Sequence, residues 1–127
     1  MRKPLLWMVA MDKRGKAWQV YAATRACCYA LRDWRGTGPA FGITFRDKRR
    51  RIYIDVAREL DDVLETLLHE LKHVAFGPMD LPNKWEEDVV TVASDELYPL
   101  LKSVGVVFPP LPPAAAVYLK KPRKKAA

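Results

Sequence analysis

The chain has 127 residues, of which 50% are hydrophobic, and this composition is enough to build one core in a single domain. No run of about 18 apolar residues occurs, so the sequence predicts no contact with a membrane. The formal net charge is +7 and the pI is near 9.6, which raises the question of an anionic partner.

Two features near the N-terminus bear on location. The apolar run 5–10 is short and no small-residue cleavage site follows it, so a first strand is predicted and export is not expected. Cys27 and Cys28 are adjacent, and a disulfide between neighbours would be strained. Reduced thiols in a cytoplasmic protein are therefore expected.

The next elements are predicted from the spacing of apolar residues. Residues 16–34 carry apolar side chains near a period of 3.6, which predicts a helix that ends at the Gly- and Pro-containing run 36–39. Residues 41–45 and 51–56 alternate between apolar and polar side chains on either side of a charged turn. This pattern predicts a β-hairpin.

Two helices are predicted after the hairpin. The first runs from about Asp62 to Phe76, with a capping box between Asp62 and Glu65. The second runs from about residue 84 to 103, and Pro99 predicts a kink or an early end there. The sequence thus predicts an α+β domain over residues 1–106, followed by a Pro-rich, basic and flexible tail over 107–127.

Both histidines of the chain lie in one pentad, His69-Glu70-Leu71-Lys72-His73, inside the first of these helices. Two imidazoles four residues apart project from one helix face, where one zinc ion can bind both. Glu70 is then placed to act as a general base toward a metal-bound water. The alternative is a pair of hydrogen-bonded histidines that bind no metal.

A catalytic zinc needs a third protein ligand, and no histidine remains. Asp80 and three acids at the start of the next helix are available. A helical wheel places Glu86 amid the apolar face, where a carboxylate needs a cation or a partner, so Glu86 is preferred and Glu87 is the reserve. The competing interpretation of Glu86 is a first-turn acid stabilised by the helix dipole.

Residues 65–76, with the strand Ile52–Asp55 before them and residues 85–90 after them, resemble minimal zincins. The similarity is to compact metallopeptidases of phages and prophages, related to the ImmA/IrrE-like and SprT-like groups. It implies a zincin-like fold, with a small antiparallel or mixed sheet packed on helices and an active-site helix. It also implies that an edge strand binds the peptide substrate, and residues 52–56, with Tyr53 and Ile54, are the predicted strand.

The sequence therefore predicts a cytoplasmic zinc-dependent peptidase of the gluzincin-like type, in the host cytoplasm if a phage encodes it. Its partner would be a protein or peptide substrate, and a repressor is one form that substrate could take. The alternative is a non-catalytic module on the same scaffold that binds nucleic acid or a partner protein. The basic turn 46–51 and the tail 120–125 would make the nucleic-acid contact, although a solvated turn and a disordered tail are the favoured interpretation of these charges.

Three further side chains are considered for the cleft. Tyr53 and Tyr98 are candidates to stabilise an oxyanion, although each is more often a tyrosine at the rim of a core. Thr66 lies one turn before His69 on the same helix face and is a candidate to line the site.

Overall fold

The computed structural model describes residues 1, 3–24, 41–46, 48–77 and 82–122. Within these ranges the sheet has four strands, β1 (Leu5–Met11), β2 (Ala17–Ala23), β3 (Gly42–Phe45) and β4 (Arg51–Asp55), in the order β1-β2-β4-β3. β1 and β2 are antiparallel, β4 is parallel to β2, and β3 is antiparallel to β4. The predicted first strand and the predicted hairpin are confirmed, and the sheet is mixed.

The predicted helix over residues 16–34 is wrong for its first part, because residues 17–23 form β2. Burial alternates along most of β2, with Trp18, Val20 and Ala22 buried, but the less buried Ala17 and Tyr21 are apolar as well. Such a run matches a helical period by chance. The rest of the prediction, with Cys27 and Cys28, lies outside the described residues.

β4 is a central strand, so the prediction of an edge strand at residues 52–56 is wrong. Its backbone groups pair with β2 and with β3. Ile54 is fully buried in the core, and Tyr53 stacks on Tyr21 with ring centroids 5.1 Å apart. Neither side chain is placed to bind a substrate, and β3 is the strand at this edge in the described part of the sheet.

Helix α1 (Leu60–Phe76) packs on the sheet and carries the histidine pentad. The core between them holds fully buried side chains from both layers: Val20, Ala22, Ile52, Ile54, Val56, Val63 and Leu67. The predicted capping box does not form, because α1 begins two residues earlier, after Glu59, and has no side-chain cap. Asp61 and Asp62 instead lie in its first turn, where the helix dipole favours negative charge.

Helix α2 (Asn83–Ser103) continues through Pro99, so the predicted early end is not observed. The helical wheel of α2 is correct for Glu86 and Val90, which are buried, whereas Trp85, Val92 and Leu100 are more than 60% exposed. The buried residues of α2 recur every fourth position: Glu86, Val90, Ser94 and Tyr98. The start of α2 lies beside the end of α1, and the end of α2 beside the start of α1, so the two helices are antiparallel.

The predicted tail boundary at residue 107 does not hold for residues 108–119. The indole Nε1 of Trp7 donates a hydrogen bond of 2.9 Å to the carbonyl of Pro109. Helix α3 (Pro113–Ala116) places Ala115 in the core, fully buried. This segment is therefore part of the folded domain, while residues 123–127 lie outside the described ranges. None of the described helices is long and apolar enough to cross a membrane.

One pair of acids between α1 and α2 predicts a pH effect on stability. The hydrogen bond to Asp95, together with partial burial, raises the pKa of Glu65 to about 7. A raised pKa in the folded state means that the stabilisation is present below the unfolded value, near 4.5, and is lost as the pH rises through 7. Because Glu65 is partly solvated, screening limits the effect to about 1 kcal/mol.

We therefore expect Glu65→Gln to raise the melting temperature at pH 8 and to change it little at pH 4. Glu96→Gln, at an exposed position of α2, serves as the control. An equal change of melting temperature at both pH values would contradict a raised pKa of Glu65 in the folded state.

Candidate metal centre

The C-terminal half of α1 presents both imidazoles to the start of α2. The Nε2 atoms of His69 and His73 lie 3.2 Å apart, as the i, i+4 spacing predicts. The side chains are 22% and 13% exposed, so the pair sits at a partly open edge of the helix layer. Both Nε2 atoms therefore point to one small region that solvent can reach.

Glu87 completes a group of three metal-binding side chains. One carboxylate oxygen lies 2.9 Å from Nε2 of His69, and the other lies 2.9 Å from Nε2 of His73. Nitrogen and oxygen ligands about 2.0–2.1 Å from a tetrahedral zinc lie roughly 3.3 Å from one another. The three side chains are close enough to share one ion, since one donor atom from each lies within 4.8 Å of the others. Glu87, the reserve ligand, thus occupies the place predicted for Glu86.

Glu86 lies on the other side of His73. Its carboxylate Oε2 is 2.6 Å from Nδ1 of His73, and it also accepts a hydrogen bond from Arg46. The helical wheel correctly predicted that Glu86 is buried, at 5% exposure, but the buried face of α2 meets the outer nitrogen of His73. The preference for Glu86 over Glu87 is therefore reversed. Glu86 is placed to orient the imidazole of His73, and Glu87 is placed to be a metal ligand.

The protonation of His73 follows from this contact. Burial raises the pKa of Glu86, but the hydrogen bonds from Arg46 and His73 outweigh burial and leave the pKa below its ordinary value. An ionised carboxylate only accepts, so Nδ1 of His73 carries the proton. In the neutral ring Nε2 is then an acceptor that faces the Glu87 carboxylate, and a cation between them would satisfy both groups.

Arg46 is a site residue that the sequence did not reveal. It follows β3 directly, and its Nη2 donates 2.7 Å to the carbonyl of His73 as well as to Glu86. It thus ties the end of β3 to the ends of both helices. The sequence placed it in a basic turn that was either solvated or a nucleic-acid contact, and nothing in that run distinguished Arg46.

Glu70 is buried against the edge strand, at 6% exposure. Thr44 of β3 donates its hydroxyl to the carboxylate, and burial raises the pKa of Glu70 although this hydrogen bond opposes the shift. A Cβ at Gly42 would lie 2.8 Å from Cγ of Glu70, so the strand approaches Glu70 closely only because residue 42 is glycine. Residues two apart in a strand lie on the same face of the sheet, so the sequence alone could have predicted that Gly42 and Thr44 lie together.

The other side chains considered for the cleft have different partners. Tyr98 donates 2.8 Å to Asp61 at the far end of α1, and burial raises its pKa above the ordinary value. Thr66 accepts a hydrogen bond of 2.7 Å from Arg58. Tyr53 lies on the sheet face with Tyr21, away from the face that packs on α1. Asp80 is outside the described residues.

Comparisons with protein-family models, curated proteins and solved structures gave no match to this chain. The functional interpretation therefore depends on the arrangement of His69, His73 and Glu87, with Glu70 and Glu86 beside them.

The placement of the two acids predicts different losses of metal affinity. Glu86→Gln should weaken zinc binding roughly 10- to 100-fold, as loss of a hydrogen bond to a ligating histidine does. Glu87→Ala should weaken it more, because one donor disappears. Isothermal titration with zinc measures both, with Asp88→Asn as the control at an exposed neighbouring position. A larger loss for Glu86→Gln than for Glu87→Ala would contradict the assignment.

Proposed function

We propose that the chain is a zinc-dependent peptidase of the HExxH type, with His69, His73 and Glu87 as metal ligands. The observation that carries the proposal is the convergence of two imidazole Nε2 atoms and one carboxylate within 2.9–3.2 Å. Either a protonated imidazole or a bound metal cation would balance the negative charge of the Glu87 carboxylate between the two Nε2 atoms. The pentad favours the cation, because it places a buried acid directly after the first histidine.

A bound zinc would supply a Lewis acid for the scissile carbonyl and would lower the pKa of a water molecule at its open position. Glu70 accepts the proton of the attacking water and donates it to the leaving amine. Burial raises the pKa of Glu70, which makes its carboxylate a better proton acceptor for this step. Thr44 holds the carboxylate in place, and Glu86 with Arg46 fixes the ring of His73.

We also propose a zincin-like arrangement in which β3 replaces β4 as the strand that binds substrate. Within the described sheet β3 has a partner strand on one side only, and it contacts α1 beside Glu70. An extended peptide that adds to β3 through backbone hydrogen bonds would lie along the side of the metal centre. The substrate is thus expected to bind in an extended form.

Hydrolysis of fluorescently labelled casein, an unstructured protein, tests the proposal. The zinc-loaded chain should cleave it, a chelator should stop the cleavage, and added zinc should restore it. His69→Ala should be inactive at every zinc concentration that supports the unaltered chain. Cleavage that persists in the chelator or in His69→Ala would contradict the proposal, as would stoichiometric zinc binding without cleavage of any unfolded or peptide substrate.

A further inference from the structure

Two basic turns lie at the same end of the sheet. The turn between β1 and β2 carries Lys13, Arg14 and Lys16. The turn between β3 and β4 carries Lys48, Arg49 and Arg50, and Arg51 begins β4. β2 and β4 are parallel, with Gln19 beside Arg51. The two turns, which lead into these strands, therefore lie at the same end of the sheet. The Nε of Arg50 donates 3.3 Å to the carbonyl of Ala17, which joins the second turn to the first residue of β2.

The turns present a compact cationic surface, here called the basic end and defined as Lys13, Arg14, Lys16 and residues 48–51. From the strand order, the centres of the two turns are two strand spacings apart, about 10 Å. Lys13, Arg14, Lys16, Lys48 and Arg49 are all exposed. The one acid of the first turn, Asp12, is hydrogen-bonded to the backbone of Arg14 and Lys16 and to Trp18.

The charge of the chain is strongly segregated. Fourteen of the 22 Lys and Arg residues lie in residues 1–59, against five of the 15 Asp and Glu residues. Residues 60–103 carry ten acids and three bases. In the described part of residues 1–59, ten bases stand against three acids. The described sheet portion is therefore positively charged beside an acidic helix pair, which gives an anionic partner a preferred face.

The backbone of the second turn supports a functional origin for its charges. Arg50 has a φ of 44°, in the left-handed region that Gly or Asn adopts at lower cost. The four consecutive basic residues 48–51, three of them in the turn, also repel one another. Both features cost free energy in the isolated chain, and a bound polyanion would offset the repulsion.

We propose that the basic end binds the phosphate backbone of double-stranded DNA without sequence preference. Duplex DNA has closely spaced phosphates that arginine and lysine on both turns can contact at once. Binders of single strands instead use exposed aromatic rings for stacking. At the basic end Trp18 is 7% exposed and Arg49 covers the ring of Phe45 at 3.8 Å, so the duplex is the favoured form.

The basic end adjoins the candidate metal centre. Arg46, between β3 and the second turn, contacts both His73 and Glu86. A groove of about 690 Å³ extends from the first turn to the C-terminal end of α1, with Lys13, Arg14 and Arg46 among its lining residues. Proteins bound to the same DNA would thus be brought close to the metal centre. This consequence depends on the proposed function, whereas DNA binding itself does not.

Fluorescence anisotropy with a labelled duplex of about 20 base pairs, measured over a range of salt concentrations, tests the proposal. Two double variants remove two charges each from the basic end, Lys13→Ala with Arg14→Ala and Lys48→Ala with Arg49→Ala. The matched control, Lys84→Ala with Lys102→Ala, removes two charges from α2. Far-UV circular dichroism and a thermal melt of each variant show that it is folded. Neither readout needs zinc, so this test is separate from that of the proposed function.

Each basic-end variant should bind the duplex at least tenfold more weakly. The slope of log affinity against log salt should shrink by about 0.9 for each phosphate that the variant no longer neutralises. The control should change affinity less than threefold. Equal decreases in all three variants would overturn the proposal, since they would show attraction by net charge alone. Preference for a single strand, or for phosphatidylglycerol vesicles over the duplex, would overturn it as well.

Discussion

Glu70→Gln is expected to slow peptide hydrolysis at least about 100-fold while zinc stays bound. The change removes the proton acceptor but keeps the size of the side chain and an oxygen that can accept the hydrogen bond of Thr44. General acid–base catalysis contributes about 100- to 10 000-fold, so the rate of casein cleavage should fall by that factor. Stability should not fall, because burial already disfavours the charged form of Glu70.

Glu96→Gln, on an exposed position of α2, makes the same chemical change and should leave the rate unaltered. Hydrolysis by Glu70→Gln within tenfold of the unaltered rate would remove Glu70 from the mechanism. Loss of zinc together with activity would show that Glu70 supports the metal centre and is not the proton acceptor.

Gly42→Ala is expected to destabilise the fold by about 1–3 kcal/mol, in the range of an overpacked core. The added Cβ would meet Cγ and Oε1 of Glu70 at 2.8 Å and Cγ2 of Thr66 at 3.0 Å. The edge strand would have to move away from α1, and Thr44 would move with it. Denaturant unfolding measures the decrease in stability, and hydrolysis should fall in parallel because the support of Glu70 is displaced.

A double-mutant cycle isolates the close approach between the strand and Glu70. In a Glu70→Ala background the main clash is gone, so Gly42→Ala should cost much less there. Gly15→Ala is the contrasting case, since it meets no atom within 4 Å and is unfavourable only through its φ of 79°. Equal costs of Gly42→Ala in both backgrounds would contradict the packing described here.

The sequence predicted the elements whose patterns are local. The hairpin of β3 and β4 and both long helices follow from alternation, helical periodicity and terminators within a few residues. β2 was mistaken for a helix because Ala17 and Tyr21, at its less buried positions, are apolar and hide the alternation. The place of β4 at the centre of the sheet depends on its pairing with β2, which is about thirty residues earlier and leaves no local signal.

The candidate site was predictable to the same extent. The pentad placed His69, Glu70 and His73 on one helix with their relative directions. The choice between Glu86 and Glu87 depended on the rotation of α2 about its own axis relative to α1. Burial alone pointed to Glu86, whereas Glu87 lies beside both Nε2 atoms. Gly42, Thr44 and Arg46 come from a distant strand, so only the packing of that strand on α1 brings them to the centre.

A crystal structure of the zinc-soaked protein, with anomalous scattering recorded at the zinc edge, tests the central claim most directly. We expect one peak about 2.0–2.2 Å from Nε2 of His69, Nε2 of His73 and a carboxylate oxygen of Glu87. Glu86 should remain hydrogen-bonded to Nδ1 of His73. A crystal without a peak at this place, or a peak ligated by Glu86 in place of Glu87, would contradict the account.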